Sequence, residues 1–277
     1  MSNRYSFEFF PPKTEAGREK LKDTRSQLAA LNPEFFSVTY GAGGSTRDNT
    51  RGIVLETKKA GLSVAPHLSF GGDEESEILE LLNSYKDAGI DRIVALRGDI
   101  PSGMGATRLV YARELVEFIR KHTGDHFQLE VAAYPEIHPD GKSYDADIGF
   151  LKDKLNAGAN SAITQYFFSA DSYFYFLDAC DKAGIDKPIY PGIMPITNYT
   201  NLARFSRNCG AEIPRWLSKK LEGYGDDQQS IIDFGTEFVT ELCHILMEGG
   251  APGIHFYSMN QVEPIKSIAE AVMQSHP

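Results

Sequence analysis

Lys86-Asp-Ala-Gly-Ile-Asp-Arg-Ile-Val-Ala-Leu-Arg97 (KDAGIDRIVALR) is the stretch whose reading decides the fold. A helix tail ends in Ala88-Gly89, and a β-rich run, Arg92–Arg97, follows at once. Glycine just past a helix end takes the left-handed conformation that side chains resist, so this pair marks a helix-to-strand joint. The joint recurs as Lys59-Ala60-Gly61 before Leu62–Phe70, Thr123-Gly124 before Phe127–Tyr134 and Ala157-Gly158 before Ser161–Phe168. It returns as Ala183-Gly184 before Lys187–Ile196 and Gly249-Gly250 before Gly253–Asn260.

Two further runs, Tyr5–Phe10 and Glu34–Tyr40, bring the strand count to eight. Between the strands, Thr14–Leu31, Glu74–Ala88, Arg108–Lys121 and Asp226–Met247 carry apolar residues at helical spacing. Strands alternating with helices imply a parallel sheet with helical crossovers. The 277 residues divide into units of about 35, and a closed β/α barrel typically takes roughly 250 residues. The expected fold is α/β, an eight-stranded parallel β/α (TIM) barrel, with residues 1–277 as one domain. An open doubly wound sheet is the alternative. Asn201–Asp227, with Pro214, Trp216 and Gly-Tyr-Gly, reads as an insertion in the seventh crossover.

Composition narrows the function. Lys plus Arg is 28 and Asp plus Glu is 38, a net charge of −10 that disfavours a nucleic-acid partner. The longest apolar run, Tyr173–Leu177, is far shorter than the roughly 18 residues of a membrane span, so a cytoplasmic protein with no membrane partner is expected. Cys180, Cys209 and Cys243 are scattered and read as small core or near-surface residues rather than a disulfide or zinc framework. A homo-oligomer is compatible with a barrel of this size.

In β/α barrels chemistry sits at the C-terminal ends of the strands. The polar residues there are Glu8, Thr39-Tyr40, His67, Arg97-Gly98-Asp99, Tyr134, Gln165, the loop after Pro195 and Tyr257–Gln261. Glu8 lies between aromatics in Ser6-Phe-Glu-Phe-Phe-Pro-Pro12; desolvation is expected to raise its pKa and keep it protonated near neutrality. A solvated edge carboxylate or a structural ion pair is the plainer reading. Arg97 can meet a phosphate and Asp99 a ring N–H, or the two can simply pair at the rim. His138 offers a phosphate contact, a general base or a metal ligand, but none of the seven histidines falls in H-x-H or H-E-x-x-H, so no metal is expected. Gln165, the amide in an apolar strand, suits a heterocycle or a neighbouring strand equally. Gly41-Ala-Gly-Gly-Ser-Thr46 lacks the last glycine of a dinucleotide loop, and neither a Walker motif nor a nucleophile elbow is present.

Taken together, Ser6–Pro12, Phe36–Ala42, Ala65–Leu68, Ile93–Asp99, Ala132–Pro139, Ala162–Phe168, Pro191–Asn198 and His255–Tyr257 resemble the methylenetetrahydrofolate reductases of bacterial type, in the catalytic portion. The resemblance implies an FAD-bearing barrel that reduces 5,10-methylenetetrahydrofolate to 5-methyltetrahydrofolate by ping-pong hydride transfer, with NADH or NADPH as donor. It implies that Glu8 is the general acid that opens the methylene bridge and that Asp99 lies between flavin and folate. The FAD positions it implies are Thr39, Tyr40, Ala42, His67, Arg97, Gly98, Asp99, Tyr111, Ala112, Tyr134, His138, Asp147 and Lys154. Substrate would meet Glu8, Asp99, Gln165, Tyr199, Tyr257 and Gln261.

The chain departs from the family pattern at Lys13, where Arg is usual, at Tyr199, where Phe is common, and at Gln261, where the family's L-N-R becomes Met259-Asn260-Gln261. Gly141, Phe150 and Asp153 replace Ala, Asn and a basic residue beside the FAD loop. These changes leave open another electron partner, operation toward 5-methyltetrahydrofolate oxidation, or a non-catalytic folate- or flavin-binding relative. A proline dehydrogenase-like barrel or an aldolase is the rival on the same fold. No counterpart of the eukaryotic regulatory module is seen, so inhibition by S-adenosylmethionine is not expected.

Overall fold

The computed structural model describes residues 4–40, 44–70, 74–97 and 111–276. Strand and helix alternate through β1 (Arg4–Phe9), α1 (Glu15–Ala29), β2 (Phe35–Val38), α2 (Gly44–Lys59), β3 (Val64–Leu68) and α3 (Glu75–Asp87). The pattern continues with β4 (Arg92–Ala95), α4 (Ala112–Thr123), β5 (Gln128–Ala133), α5 (Tyr144–Asn156), β6 (Ser161–Thr164) and α6 (Ala170–Lys182). After β7 (Ile189–Tyr190) and β8 (Gly192–Ile193) come α7 (Tyr199–Cys209), α8 (Arg215–Gly223), α9 (Gln228–Glu248), β9 (Gly253–Tyr257) and α10 (Ile265–Ser275). The expected insertion is thus two helices, α7 and α8. No helix among the described residues is long and apolar enough to cross a membrane.

The strands form one sheet in the order β7-β6-β5-β4-β3-β2-β1-β9-β8, and each neighbouring pair is parallel. Apart from β7 and β8, consecutive strands stay neighbours, with none of the order reversal of a doubly wound sheet. The two ends of the order, β7 and β8, are separated in the chain by Pro191 alone, so the barrel is nearly closed. The expected eight strands are corrected to nine at this point. Pro191 has no N–H to give the ladder, and the Gly192 N–H turns to the Thr164 hydroxyl at 2.9 Å. The run Lys187–Ile196 therefore splits, its first piece pairing with β6 and its second with β9.

The glycine joints behave as the sequence suggests. Gly61, Gly89, Gly124, Gly158, Gly184 and Gly250 all have positive φ, from 57° at Gly124 to 118° at Gly158. Each lets the chain turn out of its helix and enter the next strand.

Alternation along β1 divides the molecule into two layers. Tyr5, Phe7 and Phe9 are buried in the large cluster between strands and helices, where Phe9 stacks on Phe36 at 5.1 Å and Phe7 on Phe256 at 5.4 Å. A smaller cluster, Phe35, Ala65, Val94, Ile163 and Tyr190, fills the other face of the strands. Below it, at the N-terminal end of the barrel, Glu130 is wholly buried and meets Arg4, Arg92 and the Ser161 hydroxyl. Glu34 joins Arg4 and Arg92 from the rim, and the Arg4 guanidinium lies 4.2 Å from the Tyr190 ring centroid. Burial pushes the Glu130 carboxyl up, but Arg4 and Arg92 outweigh it and hold the group below the usual carboxylate range.

Glu130→Gln should therefore destabilise the fold by about 3–5 kcal/mol, because two guanidinium groups lose their buried counter-charge. Urea denaturation at neutral pH measures this. A loss of about 1 kcal/mol or less would mean that the cluster acts as an exposed ion pair does.

Candidate active site

The opposite, C-terminal end of the barrel gathers titratable groups from β1, β3 and β9. Register sets them: Glu8 lies beside Ser37 on one flank and Tyr257 on the other, and Ser6 lies beside His255. The Glu8 side chain is 18% exposed, and its Oε2 lies 3.2 Å from His67 Nε2 and 3.6 Å from His255 Nε2. Among the described residues His67 Nε2 is a buried polar atom whose near neighbour is the Glu8 carboxylate. His255 is buried; its Nδ1 is 2.7 Å from Ser6 Oγ and its Nε2 is 3.5 Å from Ser37 Oγ.

This arrangement reverses the expectation that Glu8 is protonated near neutrality. Burial does push its carboxyl up, but His67 and His255 together outweigh burial and hold it at about 2. The charge that matters comes from strands distant in sequence, which reading β1 alone leaves out.

Tyr257 crosses the barrel mouth and donates its hydroxyl to the Thr164 carbonyl at 2.7 Å. Its phenol is driven far above the usual range, first by burial and then by the neighbouring Glu8 charge. Gly192 makes the crossing possible, since a Cβ there would fall 2.1 Å from the Thr164 carbonyl oxygen and 2.6 Å from the Tyr257 ring. Gln165 sits half-buried nearby, with its Oε1 accepting from the Tyr166 N–H at 3.0 Å; the Tyr166 ring is 6.4 Å from that of Tyr257.

A second cluster lies beyond β4 and β5. Arg97 donates to Asp140 at 2.8 Å, and the His138 backbone N–H donates to Asp147 at 2.6 Å. The His138 ring packs edge-on against Tyr134, and its Nδ1 accepts from the Asp140 N–H at 2.9 Å, which leaves the ring hydrogen on Nε2. Burial, then Arg97, lowers its pKa against the opposing pull of Asp140 and Asp147. Lys154 donates to the Ala132 carbonyl, and burial pushes its ammonium down to about 8 with only Asp147 opposing. Two cations and a neutral ring donor, one cation under-neutralised, fit an anionic group such as a diphosphate.

The remaining expected ligands are more dispersed. Thr39 is tied to β1 by its N–H, which donates to the Phe9 carbonyl at 2.9 Å, and half-buried Tyr40 follows it. Tyr111 is exposed at the N-terminus of α4, with Ala112 buried behind it. Tyr199 donates its hydroxyl to Glu222 on α8 at 3.2 Å, and exposed Gln261 donates its backbone N–H to the Ser258 carbonyl. Neither is drawn into the Glu8 cluster. Ala42, Gly98 and Asp99 lie outside the described residues.

The sequence reading gave no role to His255, Ser6, Ser37 or Asp140. A period-two reading of β1 and β9 signals the first two, since Ser6 shares a face with Glu8 and His255 with Tyr257. Nothing local signals Asp140 as the partner of Arg97.

The family model for methylenetetrahydrofolate reductase matches residues 1–273. The chain is 41% identical over 259 residues to the 5,10-methylenetetrahydrofolate reductases of Pectobacterium carotovorum subsp. carotovorum and Escherichia coli (strain K12), covering 93% of this chain and 86% of each relative. It is 37% identical to methylenetetrahydrofolate reductase (NADH) 1 of Arabidopsis thaliana, covering 92% of this chain and 46% of that protein. Among solved structures, a Clostridium thermocellum protein described as binding two copies of 5-methyl-5,6,7,8-tetrahydrofolic acid superposes with a TM-score of 0.70. That match has 19% identity and covers 99% of this chain and 96% of the other, a likeness of fold.

Carboxyl NMR of the ligand-free protein should find Glu8 titrating at about 2, with a higher midpoint in His67→Gln, where burial meets less opposition. A wild-type midpoint in or above the usual carboxylate range, or no rise in the variant, would contradict the imidazole control described above.

Proposed function

The chain belongs to the methylenetetrahydrofolate reductase family, and we propose that it reduces 5,10-methylenetetrahydrofolate to 5-methyltetrahydrofolate with FAD as cofactor and NADH as donor. The observation that carries the reading is a carboxylate flanked by two imidazoles at the mouth of the barrel. The Arabidopsis relative's name supports NADH, and the folate bound by the clostridial neighbour supports the substrate class. When bound, the flavin supplies the hydride-carrying ring, and donor and folate react with it in turn.

The chain's own residues divide the remaining work. Arg97, Lys154 and the His138 ring would hold the diphosphate, offsetting its charge in an otherwise acidic protein. Thr39, Tyr40, Ala42, His67, Gly98, Asp99, Tyr111, Ala112, Tyr134 and Asp147 would complete the cofactor's bed. Gln165, Asp99, Tyr257, Tyr199 and Gln261 would line the path of folate and nicotinamide in turn.

Opening the methylene bridge requires a proton on the departing nitrogen of the substrate, and Glu8 would deliver it. Its carboxyl is held low in the ligand-free protein, so it must first take up a proton, and the mouth of the barrel is where it can do so. Substrate that covers the mouth excludes water and removes the solvation that favours an ionised carboxylate. Uptake of a proton by the carboxylate then leaves a neutral acid in place beside the substrate. The substrate takes this proton at nitrogen and a hydride at the methylene carbon, which balances one donor hydride and one proton against the methyl product.

Glu8→Gln should keep bound FAD and its reduction by NADH while slowing reoxidation by 5,10-methylenetetrahydrofolate by about 10²–10⁴-fold. Anaerobic stopped-flow absorbance separates the two half-reactions. An equal loss in both would remove the acid role from Glu8.

A further inference from the structure

The segment after β9, Ser258-Met-Asn-Gln261, is tied to the exit of β1. Ser258 Oγ donates to the Glu8 carbonyl at 2.6 Å, and the Ser258 N–H donates to the same oxygen at 3.3 Å. Asn260 takes both backbone groups of Phe10: its Oδ1 accepts from the N–H at 3.0 Å and its Nδ2 donates to the carbonyl at 2.8 Å. A side-chain amide offers that donor and acceptor together. Beyond Phe10 the chain runs Pro11-Pro12, which has no N–H to offer.

The loop holds this grip in an unfavourable backbone conformation. Met259 and Asn260 have φ of 53° and 55°, the left-handed region that side chains avoid, though Asn tolerates it better than most. Such strain persists where surrounding contacts over-determine it. Here the Asn260 N–H donates to Ser258 Oγ at 3.2 Å, and Thr24 Oγ1 on α1 donates to the Asn260 carbonyl at 3.4 Å. The seam of the barrel does not require the loop, because β1 and β9 already pair from Arg4 and Gly253 up to Glu8 and Tyr257. What the loop adds is a hold on the backbone at Glu8 and again two residues later.

Resting on the reductase reading above, we propose that Ser258–Asn260 is a clamp on the exit of β1 and that Asn260 is a positioning residue for the Glu8 carboxylate. Glu8 lies at one gripped point and Phe10 is the other. Releasing Phe10 lets the peptide between them rotate, and the carboxylate then leaves its place 3.2 Å from His67 and 3.6 Å from His255. Asn260 touches neither imidazole in the described contacts, so its effect runs through the backbone.

Asn260→Gly accepts the positive φ while removing both bonds to Phe10. Asn260→Asp keeps the acceptor for the Phe10 N–H but sets a carboxylate against the Phe10 carbonyl. In full-length protein loaded with FAD, either change should slow flavin reoxidation by 5,10-methylenetetrahydrofolate by about 10–10²-fold. Reduction by NADH and the unfolding temperature should not change. Carboxyl NMR of the ligand-free variants should show the Glu8 midpoint rising toward the usual carboxylate range.

Wild-type rates and an unchanged Glu8 midpoint in Asn260→Gly would overturn the clamp while leaving the reductase reading intact. Equal slowing of both half-reactions would also overturn it, as general damage. Should the wild-type protein show no folate turnover, the reductase reading fails, and the NMR midpoint alone decides for or against the clamp. If Asn260→Gly does not fold, Asn260→Asp carries the same readouts.

Discussion

In β1 every second side chain, Arg4, Ser6 and Glu8, points away from the helix layer and must find its partner inside the nearly closed sheet. Neither face of a strand in a β/α barrel is open to water, so an ionised group there is costly unless another strand supplies a counter-charge. Arg4 is met by Glu34 and Glu130, Ser6 by His255, and Glu8 by His67 and His255. The register of β1 against β2 and β9 brings Ser37, His255 and Tyr257 to this face. One strand's polar face thus dictates what several others must carry, while its aromatic face anchors the helix layer.

The two ends of the barrel hold comparable carboxylates with different partners. Glu130 is wholly buried between arginines, which keep their protons at any pH the protein meets. Glu8 is partly exposed between imidazoles, which can give a proton up. In both cases burial pushes the carboxyl up and neighbours pull it back down. The first arrangement can only stabilise charge; the second can also move it. That contrast, rather than the presence of a buried glutamate, is what supports the proposal that chemistry sits at the C-terminal mouth.

Much of this was legible in the sequence because it depends on local chemistry. A helix leaving through a left-handed turn needs glycine, so Gly61, Gly89 and Gly184 mark joints whatever surrounds them. Pro191 was equally visible, but the split it causes depends on the Thr164 hydroxyl and on β9, which only the closed barrel brings alongside. The state of Glu8 was misjudged for the same reason: its aromatic neighbours in β1 suggest desolvation, whereas the deciding imidazoles arrive from β3 and β9. Arg97, expected to meet phosphate or Asp99, also bonds Asp140, from a loop that carries no local sign of it. Residues that act within their own turn can be read from the chain; those that act across the barrel need the register.

The proposed reaction requires this barrel to pass electrons between a nicotinamide and a folate. The most direct measurement is anaerobic stopped-flow of the FAD-loaded wild-type protein, mixed in separate runs with NADH, NADPH and 5-methyltetrahydrofolate while the visible flavin band is followed. Fast bleaching by NADH, with recovery of the band on adding 5,10-methylenetetrahydrofolate, is the result predicted. Bleaching by 5-methyltetrahydrofolate alone would contradict the donor, and an unchanged band with all three would contradict the enzyme.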